Sequence, residues 1–137
     1  MSKATILVIE DHKDTLEFIQ ALLEHNGFKV IPSQNCSTAF TQLSLSRPDV
    51  ILTDLMIPEM TGLEFIYRLR RVTNFDRIPI IAMSAFDRTY LMSAMGAGAE
   101  ATLHKPDDLN NLVDVINRVL ARHCKLETSS AKVKLPN

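Results

Sequence analysis

Five short apolar runs alternate with five stretches of helical period along this chain, and that alternation restricts the fold more than any other feature. The runs are Ile6-Leu7-Val8-Ile9, Phe28 to Ile31, Val50-Ile51-Leu52, Ile78 to Met83 with Pro79 inside it, and a weaker Ala101 to Leu103. The first, third and fourth are apolar at consecutive positions, the pattern of strands covered on both faces. Between them, Leu16, Ile19 and Leu23 recur at helical spacing, with Phe18 and Leu22 widening the stripe. Cys36, Ala39, Phe40 and Leu43 follow a cap candidate at Ser33 or Asn35, and Leu63, Ile66 and Leu69 follow Gly62. A fourth helix is expected over Asp87 to Ala97, ending at Gly96 or Gly98. Leu109, Leu112, Val113, Ile116, Val119 and Leu120 mark the fifth. No hairpin signal joins two runs, so the pattern implies an α/β fold: a five-stranded parallel sheet with helices on both faces.

At 137 residues there is room for one such domain with a real core and no need of disulfide or metal staples. Cys36 and Cys124 are far apart and form no Cys-x-x-Cys pair, which fits a reducing compartment. The formal net charge of −1 comes without a basic stripe, so a nucleic-acid surface is not expected. Nothing near the N-terminus reads as a signal peptide or membrane span, and a soluble, cytoplasmic protein is expected. From about Lys125 the sequence loses its period, giving an expected domain over 1–124 and a disordered tail over 125–137.

In doubly wound sheets the chemistry sits at the carboxyl ends of the strands. Glu10 and Asp11 follow the first run, Asp54 the third, Ser84 the fourth and Lys105 the fifth. Each has a plain structural reading alone: an acidic pair beside a helix dipole, a loop cap, a turn serine, a turn lysine before Pro106. Together they bring three carboxylates to one edge, where they repel one another unless a cation intervenes. Hard oxygen donors suit Mg²⁺. Lys105 and Ser84 add a positive charge and a hydroxyl, so the set supports attack by a carboxylate on a phosphoryl donor. His12 and His104 lack a partner at zinc-site spacing, and no Gly-rich phosphate loop is present.

The motifs Ile6-Leu7-Val8-Ile9-Glu10-Asp11, Asp54-Leu55-Met56-Ile57-Pro58-Glu59-Met60-Thr61-Gly62, Pro79 to Ala85, Gly98-Ala99 and Lys105-Pro106 carry a family resemblance. Over about residues 4 to 122 the sequence resembles a two-component response-regulator receiver domain. That resemblance implies the flavodoxin-like strand order 2-1-3-4-5, with Asp54 as phosphoacceptor. It implies Mg²⁺ held by Glu10, Asp11, Asp54 and the backbone carbonyl of Met56. Ser84 becomes the hydroxyl that moves onto the phosphoryl group, Lys105 its salt-bridge partner, and the Lys105–Pro106 bond is expected cis.

The family's usual aromatic three positions before the lysine is Thr102 here. Asp107 stands where a Phe is common and is expected to cap the last helix. Glu10 replaces the more frequent Asp, a variation the family tolerates because the first acid can reach the metal through water. Met56 and Phe86 occupy positions that tune loss of the phosphoryl group, and both are apolar. The implied protein is a phosphorylation switch and not an enzyme in its own right. Its donor is a sensor histidine kinase or histidine phosphotransfer protein, and its output partner is unknown. It is expected to stand alone, to bind no nucleic acid or membrane, and a phosphorylation-dependent homodimer is compatible with it. The rival readings are a pseudo-receiver scaffold, for which Thr102 speaks faintly, and an aspartyl-phosphate hydrolase. The hydrolase would need a carboxylate where Met56 stands.

Overall fold

A computed structural model describes residues 4–57, 60–86 and 88–134, with side chains through His123. Pro58 and Glu59 of the Asp54 motif, Asp87 at the expected start of the fourth helix and the last three tail residues lie outside the described residues. The order is β1 (Thr5–Ile9), α1 (Lys13–His25), β2 (Lys29–Ser33), α2 (Cys36–Leu45), β3 (Val50–Asp54), α3 (Gly62–Arg70), β4 (Ile80–Ser84), α4 (Arg88–Ala97), β5 (Ala101–His104) and α5 (Leu112–Lys134). All strand pairs are parallel and the sheet order is β2-β1-β3-β4-β5, as expected.

Strand parity divides the core into two layers. Ile6, Val8, Val50, Leu52, Ile81, Met83 and Leu103 pack with Leu16, Ile19 and Leu23 of α1 and Leu112, Ile116 and Val119 of α5. Leu7, Ile9, Ile51, Ile80 and Ala82 face α2, α3 and α4 on the other side. Every residue of β3 and β4 is therefore buried, which is why those runs show no polar alternation.

The edges depart from the sequence reading for identifiable reasons. β2 was expected to stop at Ile31 but continues through Pro32 to Ser33. It is an edge strand paired only to β1, so a residue without an N–H costs no ladder bond on the open side. β4 starts at Ile80, two residues later than expected, because the chain enters the sheet through Pro79, whose carbonyl accepts from Ile51 N at 2.9 Å. Of the two cap candidates for α2, Asn35 is the one used, its side chain accepting from Thr38 N at 2.8 Å. α4 runs through Gly96 and is closed by Gly98, whose φ of 126° only glycine adopts readily.

Two expectations at the C-terminal side are corrected. Asp107 does not cap α5. It begins a 3-10 turn over Asp107–Asn111 that delays α5 to Leu112, and the neighbouring Asp108 accepts from His104 N at 2.9 Å. The tail expected to be disordered from residue 125 is helical backbone as far as Lys134. The loss of hydrophobic period was real, but propagation needs only helix formers and an absence of breakers, and no Gly or Pro occurs between Pro106 and Pro136.

Candidate functional site

The buried polar residues described are Glu10, Ser33, Thr53, Asp54 and Ser84, and all five lie at the carboxyl end of a strand. A sheet sealed by helices has no water for such groups, so each must find a partner at this edge. Glu10 N donates to the Ser33 carbonyl at 3.0 Å, which draws the residue inward off β1. Its carboxylate then accepts from His12 N at 3.2 Å and from Lys105 Nζ at 2.6 Å. Asp11, one residue on, is exposed. His12 has a structural task that its sequence context did not reveal: its Nδ1 caps α1 by accepting from Thr15 N at 3.3 Å.

Asp54 closes β3 and is 5% exposed. One carboxylate oxygen accepts from Met56 N at 2.9 Å and the other from Lys105 Nζ at 2.5 Å. The turn that follows is folded back tightly, with Gly62 N donating to the Leu55 carbonyl at 2.9 Å. A Cβ on Gly62 would strike the Asp54 carbonyl oxygen and stand 2.6 Å from Leu55 Cα. The glycine of the motif is thus a condition for seating α3 against the Asp54 strand end. Thr61 caps that helix through Glu64 N at 3.1 Å.

Lys105 reaches the site because its own N–H donates to the Ser84 carbonyl at 2.8 Å, which aligns the ends of β5 and β4. The Lys105–Pro106 bond is cis. Burial would pull the Lys105 amine down, but its hydrogen bonds to Asp54 and Glu10 outweigh that and hold it above the ordinary lysine value. Burial is also the main influence on Glu10, and with the nearby Asp54 charge it pushes the carboxyl up against the opposing pull of Lys105. The ammonium is therefore the standing counter-ion of two buried carboxylates.

Oxygens of Glu10, Asp11 and Asp54 all lie within 4.8 Å of one another. Three carboxylates against one ammonium leave two negative charges, carried by hard donors with Asp11 on the solvent side, a set that fits a divalent cation such as Mg²⁺. Ser84 is fully buried and its Oγ accepts from Phe86 N at 3.0 Å. Phe86 is 53% exposed and leans on Tyr90 with ring centroids 6.2 Å apart, while Met56 is also exposed. Thr102 lies opposite Ala82 on the α4 side of β5, half-buried. The sequence reading thus located Glu10, Asp11, Asp54, Ser84 and Lys105 at one edge. It did not foresee the cap at His12 or the Phe86–Tyr90 contact, which needs the α4 axis to be known.

The sequence profile of the response regulator receiver domain matches residues 6–117. The chain belongs to that family. It is 30% identical to response regulator Rre1 of Synechocystis over 120 residues, covering 86% of this chain and 52% of that protein. To the phosphate regulon transcriptional regulatory protein PhoB of Escherichia coli it is 32% identical over 118 residues, covering 85% and 52%. The chain thus spans about half the length of these two curated relatives. Among solved structures, the receiver domain of a signal transduction histidine kinase from Syntrophus aciditrophicus is 28% identical, with a TM-score of 0.79 and coverage of 86% of this chain and 90% of that one. Chemotaxis response regulator CheY4 of Vibrio cholerae shares the fold, with a TM-score of 0.80 at 24% identity over 86% and 99%. Phosphoryl acceptance and Mg²⁺ binding at an acidic pocket are general to receiver domains, which are not enzymes in the usual sense. Among the described residues no helix is long and apolar enough to cross a membrane.

Proposed function

We propose that this chain accepts a phosphoryl group on Asp54 from a sensor histidine kinase or histidine phosphotransfer protein, and that a partner reads the result. The observation that carries this reading is the Asp54 carboxylate itself. It is buried at a strand end, fixed by Met56 N–H and Lys105, and has Glu10 and Asp11 within reach of a shared cation. An Asp54 oxygen attacks phosphorus while the bond from phosphorus to the donor nitrogen breaks. The electron pair goes to the donor nitrogen, and the imidazole leaves as a neutral ring when its other nitrogen already carries a proton. Glu10, Asp11, Asp54 and the Met56 carbonyl would hold Mg²⁺, which supplies charge neutralisation at the phosphoryl oxygens when bound. Lys105 is already charged and lies 2.5 Å from Asp54, so it needs little movement to follow the new phosphoryl oxygens.

Ser84 is the hydroxyl assigned to the phosphoryl group, and Thr102 stands at the position where the readout differs from the family's usual aromatic. Met56 and Phe86, both exposed beside this edge, are assigned to shielding phosphorus from water, since neither side chain orients a water by hydrogen bonding. The receiver unit is taken as residues 1–124, acting in the cytoplasm, with a phosphorylation-dependent homodimer as one form of output. Intact-mass measurement after incubation with Mg²⁺ and acetyl phosphate tests the central point. One phosphoryl adduct is expected on the natural protein and none on Asp54→Asn, and an adduct that survives in that variant refutes the assignment.

A further inference from the structure

The end of the sheet opposite the candidate site carries a cluster of arginines, alongside the carboxylates of Asp49, Asp76 and Glu100. The acidic groups of the candidate site stand at the carboxyl end of the sheet. At the other end, about 16 Å away for a strand of this length, residues 64–77 hold four arginines, Arg68, Arg70, Arg71 and Arg77, against Glu64 and Asp76. Arg47 joins them from the α2–β3 connection, its guanidinium donating to the Asn74 carbonyl.

Among the described residues only Arg68 of this group has a carboxylate within ion-pair distance, Glu64 at 2.6 Å. Arg70 spends its donors on the backbone carbonyls of Asp76, Ile78 and Gly98 at 2.7 to 3.1 Å and is a structural tie. Arg71 is laid over the Tyr67 ring at 5.4 Å from its centroid and donates to the Tyr67 hydroxyl at 2.8 Å. Tyr67 is 55% exposed and Val72 is 39% exposed.

The C-terminal dipole of α3 favours cations here, but it amounts to roughly half an elementary charge. It explains neither this many guanidinium groups nor the bare tyrosine and valine beside them. Arginine and tyrosine are the residues that dominate protein interfaces. Guanidiniums already fixed by Tyr67 and Asn74 lose little freedom when a carboxylate arrives. A nucleic acid would need a longer cationic track than this chain, at a formal net charge of −1, offers.

We propose that this pole docks an acidic segment of a partner protein, with carboxylates meeting Arg47, Arg71 and Arg77 and an apolar side chain covering Tyr67 and Val72. The surface lies at the end of the sheet opposite Asp54, so the proposal stands apart from the phosphorylation reading.

The test is fluorescence anisotropy of a labelled peptide of alternating glutamate and leucine, titrated with the full chain at roughly 0.15 M salt. A neutral glutamine–leucine peptide and a DNA duplex serve as competing probes. The acidic peptide is expected to bind, with Arg71→Glu/Arg77→Glu weakening it by about tenfold or more and Tyr67→Ser also weakening it. Arg118→Glu, an exposed reversal on α5, is expected to leave affinity unchanged. Circular dichroism confirms that the variants are folded. No binding by the natural chain, equal loss in Arg118→Glu, equal affinity for the neutral peptide, or tighter binding of the duplex each overturns the proposal.

Discussion

Replacing Lys105 by Met tests whether the ammonium is what allows two carboxylates to stay buried without a metal. The side chains of Glu10 and Asp54 are 1% and 7% exposed, and Lys105 is 13% exposed. Methionine keeps much of the stem volume but abolishes both charge-assisted hydrogen bonds. Breaking a buried pair by removing one partner costs about 3–5 kcal/mol, most of it the desolvation of the charge left behind. Glu10 can relieve part of this by taking up a proton, since burial already pushes its carboxyl up. The expected loss is therefore at the lower end, about 3 kcal/mol near neutral pH in EDTA, or about 10 °C in Tm for a domain of this size.

The pH dependence has a definite sign. A carboxyl whose folded value is raised binds its proton more tightly in the folded state than in the unfolded chain. Its contribution to stability is present at low pH and lost as pH rises through the folded value. In Lys105→Met the opposing pull of the lysine is gone, so Glu10 moves further up. The deficit against the natural protein should shrink as pH falls to the ordinary glutamate range. Mg²⁺ should restore stability to the variant more than to the natural chain, because the cation supplies the missing positive charge. Urea unfolding followed by circular dichroism, with EDTA and with Mg²⁺, measures each point. A variant within about 0.5 kcal/mol of the natural protein in EDTA, or one indifferent to Mg²⁺, would refute the reasoning.

Gly62→Ala should cost about 1–3 kcal/mol in urea unfolding, because the added Cβ meets backbone of Asp54 and Leu55 that cannot swing aside. The same variant should accept phosphoryl groups more slowly from acetyl phosphate. Asp11→Ala should remain folded, since Asp11 is exposed, and should lose the Mg²⁺-dependent change seen in a metal titration. Its Tm without metal should rise, as one of three converging carboxylates is gone. If Met56 and Phe86 shield the phosphoryl group, Met56→Asn and Phe86→Glu should speed its loss from the phosphorylated protein, and unchanged or slower decay would count against shielding.

The fold was legible where burial is complete. Runs such as Val50 to Leu52 and Ile80 to Met83 have no polar position because helices cover both faces, so the sequence pattern carries the architecture directly. Edges were less legible. Pro32 reads as a breaker in any central strand and is harmless only because β2 has one neighbour, a fact of sheet order. Residues 125–134 show no apolar stripe, yet backbone helix continues through them, since intrahelical bonds do not require a buried face.

The sequence alone determined which side chains could act. Glu10, Asp11, Asp54, Ser84 and Lys105 each follow a recognisable strand, and parallel strands deliver their carboxyl ends to one edge. It also determined that glycine stands at position 62. What only the tertiary structure decided is how those groups meet. Lys105 lies 95 positions from Glu10 and 51 from Asp54 in the chain, and it bridges both. No local pattern encodes such a contact. It depends on β5 being pinned to β4, on β4 and β1 flanking β3, and on the burial that makes a shared ammonium the cheapest way to keep two carboxylates charged.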